Sequence, residues 1–175
     1  MGCVQVPCWL PQSKTLLSLK AILGRLIGHW RTTLSIRIKR LNHAVHMEAT
    51  NEDGVTLHMD GIEALGGVKA GFRPMEMLLA AIGGCAAIDV VMILSKQRQN
   101  PDELEVEVSG DRVSVEGAQH SEFKTIHIHF QLTGAHLDEA KVTRAIDLSM
   151  TKYCSVAKAL EHTSKITTSF ELMGN

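Results

Sequence analysis

Cys85 and Cys154 are the two side chains best suited to chemistry in this 175-residue chain. Each falls in one of the two strongest helical patterns, 69 residues apart. If those helices meet, the thiols form a pair that can cycle between dithiol and disulfide. In such a cycle one thiolate attacks a hydroperoxide and becomes a sulfenic acid, which a second thiol displaces to form the disulfide. The cycle needs an activated thiol, an approach path and a second thiol within bonding reach. Cys85 also fits a plainer role as a filler in a tight crossing, because free cysteine is commonly buried. Its neighbours Gly83, Gly84, Ala86 and Ala87 let a helix, a strand or a substrate come close.

The elements that carry these cysteines are legible from periodicity. Pro74 opens a helix, where its missing N–H costs nothing, and Pro101 stops it, so the helix is expected to run to about Gln99. Residues three, four and seven apart share a helix face, which puts Leu78, Ala81, Cys85, Ile88, Asp89 and Met92 on one stripe. A second helical region spans Asp138 to about His162 and contains Cys154. Leu34, Ile36 and Ile38 alternate with polar residues as in a half-buried strand, and short strands follow near 44–49 and 55–60. Leu104, Val106 and Val108, then Phe123–Leu132, alternate again as a hairpin, and a last strand runs near Lys165–Leu172. The glycine-rich loop Gly61–Gly71 lacks the spacing of a phosphate-binding loop. Antiparallel strands around two central helices make an α+β domain.

Composition narrows the choice further. Eighteen Lys plus Arg nearly balance nineteen Asp plus Glu, which gives no reason to expect a nucleic-acid partner. Seven aromatic residues (four Phe, two Trp, one Tyr) leave a core of aliphatic side chains and Met, with little for base stacking. The apolar run Met77–Leu94 passes a length test for a membrane span, but Asp89 and Gly83–Gly84 favour a helix buried between layers or subunits. No membrane association is expected, and a reducing cytoplasmic setting is, with any disulfide transient. Residues 1–30 form an appendage, partly helical over 15–29, ahead of a domain over 31–175.

Other polar residues have two readings each. Asp89 lies one turn beyond Cys85 and is expected to hold structure, through a hydrogen bond from a partner subunit or a buried pair with Lys or Arg; a carboxylate there opposes a thiolate unless a cation intervenes. Glu76 suits the first turn of a helix by its charge alone. His127 and His129 share a strand face and could join a cysteine in a metal site, but a solvated face explains their spacing as well, and no metal is expected. Tyr153 is expected to pack.

The segment Pro74-Met75-Glu76-Met77-Leu78-Leu79-Ala80-Ala81-Ile82-Gly83-Gly84-Cys85, followed by Tyr153-Cys154-Ser155-Val156, resembles the OsmC/Ohr family of thiol-dependent organic hydroperoxide reductases and their relatives. The resemblance spans about residues 33–172. It implies an intertwined α+β homodimer with two sites at the subunit interface, Cys85 as the peroxidatic residue, Cys154 as the resolving one, and no metal, flavin or haem cofactor. Three departures point to the less characterised OsmC-like branch. Met75 stands where the hydroperoxide reductases have a glutamate after the proline, and Glu76, one residue on, is turned about 100° around the helix. Ser155 replaces the proline of Cys-Pro-Val. The activating arginine has no clear counterpart among Arg37, Arg40 and Arg73, of which Arg73 alone is anchored beside the helix start.

Three functions compete. The first is a peroxidase that reduces organic hydroperoxides through a Cys85–Cys154 disulfide, with Glu76 and Arg73 assisting and an external dithiol as reductant. The second is a non-enzymatic dimer that binds a small hydrophobic ligand. The third is a structural dimeric module with inert cysteines.

Overall fold

The computed structural model describes residues 33–174. The appendage expected over 1–30 lies outside the described residues. The chain runs β1 (Arg37–Arg40), β2 (Met47–Thr50), β3 (Thr56–Met59), a 3₁₀ turn (Glu63–Leu65), α1 (Pro74–Lys96), β4 (Glu103–Ser114), β5 (Ser121–Thr133), α2 (Glu139–Leu148), a π turn (Ser149–Tyr153), α3 (Ser155–Leu160) and β6 (Lys165–Met173). The described residues form the expected α+β architecture, with two three-stranded sheets.

One expectation about strand direction is corrected. β4 and β5 form the antiparallel hairpin, but β6 pairs parallel to β5, from Thr125–Lys165 to Thr133–Met173. A parallel pair needs a long crossover, and α2, the π turn and α3 supply it. β5 is the central strand. Phe123, Ile126, Ile128, Phe130 and Leu132 alternate inward along it and are buried. Full burial of each such side chain is worth about 1.5–3 kcal/mol, so β5 anchors the core.

α1 packs on β4 and against α2, the π turn and α3. By length and composition it could cross a bilayer, yet Ile82, Ala86, Val90 and Leu94 sit in the core with the β5 side chains. Its start follows from local chemistry. Arg73 is extended, as a residue before proline prefers, and the Glu76 carboxylate accepts the Arg73 backbone N–H at 2.8 Å. Its end comes at Lys96, three residues before the expected Gln99. Arg98 turns left-handed at φ 58°, and the Gln99 N–H bonds back to the Leu94 carbonyl at 2.9 Å, which closes the helix.

Gly83 sets how closely α1 approaches the sheet. A Cβ placed there would lie 2.7 Å from a Val108 methyl, whereas one at Gly84 would meet nothing. Only the first glycine is needed for close packing within the chain.

The β1–β2–β3 sheet departs most from expectation. Leu34 and Ile36 precede β1, and every residue of β1 is exposed, including Ile38 at 60%. The alternation is present, but no layer among the described residues covers it. Ile88 and Met92 on α1 are also exposed, at 63% and 55%.

Candidate functional site

The second helical pattern is not continuous, and the interruption creates the site. α2 is capped by Asp138, whose carboxylate accepts the Lys141 N–H at 3.1 Å, and it buries Val142, Ala145 and Ile146 on one face. The helix then widens. The Cys154 N–H reaches back five residues to the Ser149 carbonyl at 2.8 Å, and Cys154 itself is extended (φ −68°, ψ 100°). Such π turns occur mostly as single interruptions at functional sites. Cys154, expected inside a helix, instead caps α3, and its Sγ accepts the Ala157 N–H at 3.4 Å.

This break places Cys154 beside the middle of α1. The sulfurs of Cys85 and Cys154 and a carboxylate oxygen of Asp89 all lie within 4.8 Å of one another. Both thiols are free, and a disulfide would draw the sulfurs in to roughly 2.05 Å. Cys85 is half-buried; Cys154 is fully buried. Burial pushes the Cys154 thiol up to about 11; the Ala157 N–H partly offsets this, and the neighbouring Cys85 adds to the rise. At neutral pH the Cys154 thiol is therefore held in its neutral form.

Asp89 has no basic partner among the described residues. Its carboxylate accepts the Ser149 hydroxyl of its own chain at 3.1 Å, where a hydrogen bond from a partner subunit or a pair with Lys or Arg was expected. Ser149 is fully buried. It was not singled out from sequence, where a serine inside a helical run carries no signal.

Glu76 and Arg73 do not join the thiols of their own chain. Glu76 precedes Cys85 by nine residues, a rise of about 13 Å and half a turn around the axis. The Arg73 Nε lies 4.0 Å from Glu76 Oε1, and both side chains are more than half or about half exposed. They line a cleft of about 430 Å³ with Ile62, Leu65, Met75, Leu79 and Phe123, which a second guanidinium, Arg112, also borders. Arg112 had no signal in sequence. Arg37 and Arg40 lie in β1 and are exposed.

Asp60 was also missed. It is buried and receives N–H groups from Gly61 (2.8 Å), Val68 (2.8 Å) and Ala70 (3.0 Å), which shapes the loop that walls the cleft. These donors, Ala70 and Val68 foremost, hold its carboxyl below the usual value of 3.8 against the opposing effect of burial. His127 and His129 alternate with the inward Ile126 and Ile128, so they face away from the thiols. His127 meets the hydroxyls of Thr167 and Ser169, and His129 that of Ser169, each at 2.8 Å. Tyr153, expected to pack, is 49% exposed beneath the Lys152 ammonium, 5.2 Å from the ring centroid.

An α+β fold of this topology with a cysteine pair between its central helix and crossover defines a class, and the chain belongs to it. Residues 66–169 match the OsmC-like protein family, and the chain is a member of that family. It is 50% identical over 100 residues to Protein YhfA of Escherichia coli K12, a match covering 57% of this chain and 72% of that one. A hypothetical protein from Aquifex aeolicus shares the fold with a TM-score of 0.68 and 25% identity, over 81% of this chain and 97% of the other. The organic hydroperoxide resistance protein OhrB of Bacillus subtilis has the same fold at 15% identity and a TM-score of 0.59, over 80% and 98% of the two chains. At 15% identity, the likeness to OhrB is one of fold.

Proposed function

We propose that this protein is a dithiol peroxidase that reduces organic hydroperoxides. The observation that carries the reading is the meeting of a half-buried and a fully buried thiol, Cys85 and Cys154, at the π turn. The Cys85 thiolate attacks the distal peroxide oxygen and the O–O bond breaks. The alkoxide takes a proton and leaves as the alcohol, and Cys85 becomes a sulfenic acid. The Cys154 sulfur then attacks that sulfenic sulfur, water leaves, and the Cys85–Cys154 disulfide forms. An external dithiol returns both thiols and is itself oxidised to a disulfide. Cys154 suits the second role because burial keeps it protonated and therefore a poor first nucleophile.

The reading includes a homodimer. Ile38, Ile88 and Met92 are large apolar side chains exposed among the described residues, and a second copy is the covering layer we propose. Arg73 and Glu76, too far along α1 to reach Cys85 in their own chain, are then proposed to attend the partner's thiol, as a cation that favours thiolate and the carboxylate that orients it. Turnover of cumene hydroperoxide with dithiothreitol as the electron source tests the reading. It is expected in the wild type, absent in Cys85→Ser, and stalled at the sulfenic acid in Cys154→Ser. Equal rates in Cys85→Ser and wild type would refute it.

A second reading is favoured by the cleft of about 430 Å³ beside Arg73 and Arg112. Apolar walls, with the guanidiniums of Arg73 and Arg112 and the carboxylates of Asp60 and Glu76 around them, suit a small hydrophobic ligand with a polar end, held without turnover. Binding that survives replacement of both cysteines, with no peroxide consumed, would establish this alternative.

A further inference from the structure

We propose that, in the reduced protein, Cys85, Cys154 and Asp89 together bind one thiophilic divalent cation of the zinc and cadmium kind. Among the described residues this is the one set of His, Cys, Asp and Glu side chains whose three donor atoms fall within 4.8 Å of one another. Two thiolates at about 2.3 Å from a tetrahedral zinc ion stand roughly 3.8 Å apart, so the donors need move only about an ångström to close on it. Two sulfurs and one carboxylate oxygen make a soft-to-borderline set that selects zinc or cadmium over calcium or magnesium.

The surroundings resemble the support that ligands of such ions receive. The Ser149 hydroxyl donates to Asp89 Oδ2 at 3.1 Å, which fixes the carboxylate and leaves its other oxygen to coordinate. Cys154 is held by its N–H to the Ser149 carbonyl and by the Ala157 N–H on its sulfur. No Lys or Arg among the described residues pairs with Asp89, so the carboxylate and two thiolates lack a cation that the ion would supply. On binding, the two thiols release two protons and the carboxylate contributes its charge, which leaves a fourth position for water. Because the bound ion occupies both sulfurs, the metal form and the disulfide form exclude each other.

The inference rests on donor placement and not on peroxide turnover, so the two can fail separately. The test uses the full-length reduced chain carrying Cys3→Ser and Cys8→Ser, so that two thiols remain, titrated with cadmium without oxygen. Thiolate-to-metal absorbance reads binding, and zinc is added as competitor. One equivalent per chain is expected, displaced by zinc and absent after conversion to the disulfide. Ser149→Ala should weaken binding about tenfold, and Asp89→Asn at least as much, while the free-thiol count in each stays at two. Loss of binding after alkylation of the folded Cys3→Ser, Cys8→Ser protein covers the case in which a further variant fails to fold. Absence of a saturable signal, or unchanged affinity in Asp89→Asn, would overturn the proposal.

Discussion

Raising the pH of the reduced, chelator-treated protein should destabilise it through one residue, Cys154. Burial raises its thiol from an ordinary 9.0 to about 11, so between those values the unfolded chain has lost a proton that the folded chain keeps. The unfolded state binds fewer protons there, and stability must fall as pH rises. The neutral thiol's contribution is thus intact below pH 9 and declines through the window up to about 11. At roughly 1.4 kcal/mol per pH unit, the loss is on the order of 1 kcal/mol by pH 10 and on the order of 2 kcal/mol by pH 11. Urea unfolding of wild type and Cys154→Ala, at one protein concentration from pH 8 to 11, reads this contribution as the difference between the two profiles, since Lys and Tyr titrations are common to both. Cys154→Ala should begin less stable by a constant packing cost, and the gap should close by about 2 kcal/mol across the window. Parallel profiles would refute the claim that the thiol is held neutral by burial.

Gly83→Ala should lower stability by about 1–3 kcal/mol despite the better helix propensity of alanine, because its Cβ would stand 2.7 Å from a Val108 methyl; urea midpoints check this. Ser149→Ala should cost about 1.5–3 kcal/mol, since it strips the hydroxyl from the half-buried Asp89 carboxylate, and Asp89→Asn combined with it should cost less than the sum of the two singles. Asp60→Asn should loosen the loop at 61–71, which two Asp60 oxygens hold through three N–H groups, and limited proteolysis should cut there first. Because the folded carboxyl of Asp60 lies below 3.8, its contribution is present above that pH and lost as pH falls through the folded value, so Asp60→Asn should lack this part of acid destabilisation.

The sequence carried the thiol pair, the helix start and the strand set because each rests on local rules. Pro74 and Glu76 announce the opening of α1 wherever it lies, and inward alternation of Ile126, Ile128 and Phe130 marks β5 without knowledge of its neighbours. What failed depended on the third dimension. The pairing direction of β6 follows from where the crossover leaves the chain, and no residue in Lys165–Met173 encodes it alone. The π turn was invisible because Ser149–Tyr153 keeps helical periodicity up to the point where the Cys154 N–H reaches Ser149 instead of Met150. Ser149, Asp60 and Arg112 carry ordinary side chains at unremarkable spacings. Their roles come from what faces them: a carboxylate, a ring of backbone donors and a cleft. The alternation of β1 is legible as a pattern, but the layer that would half-bury it is not among the described residues.

The central claim, that Cys85 and Cys154 form one redox unit, is tested most directly by peptide mass mapping. Fully reduced protein would receive one equivalent of cumene hydroperoxide per chain, with hydrogen peroxide in parallel, and every thiol would then be counted. The account predicts loss of two thiols per chain and a single new Cys85–Cys154 linkage, formed faster with the organic peroxide and absent in Cys85→Ser. Thiols that remain reduced under excess peroxide, or a disulfide that omits either residue, would contradict it.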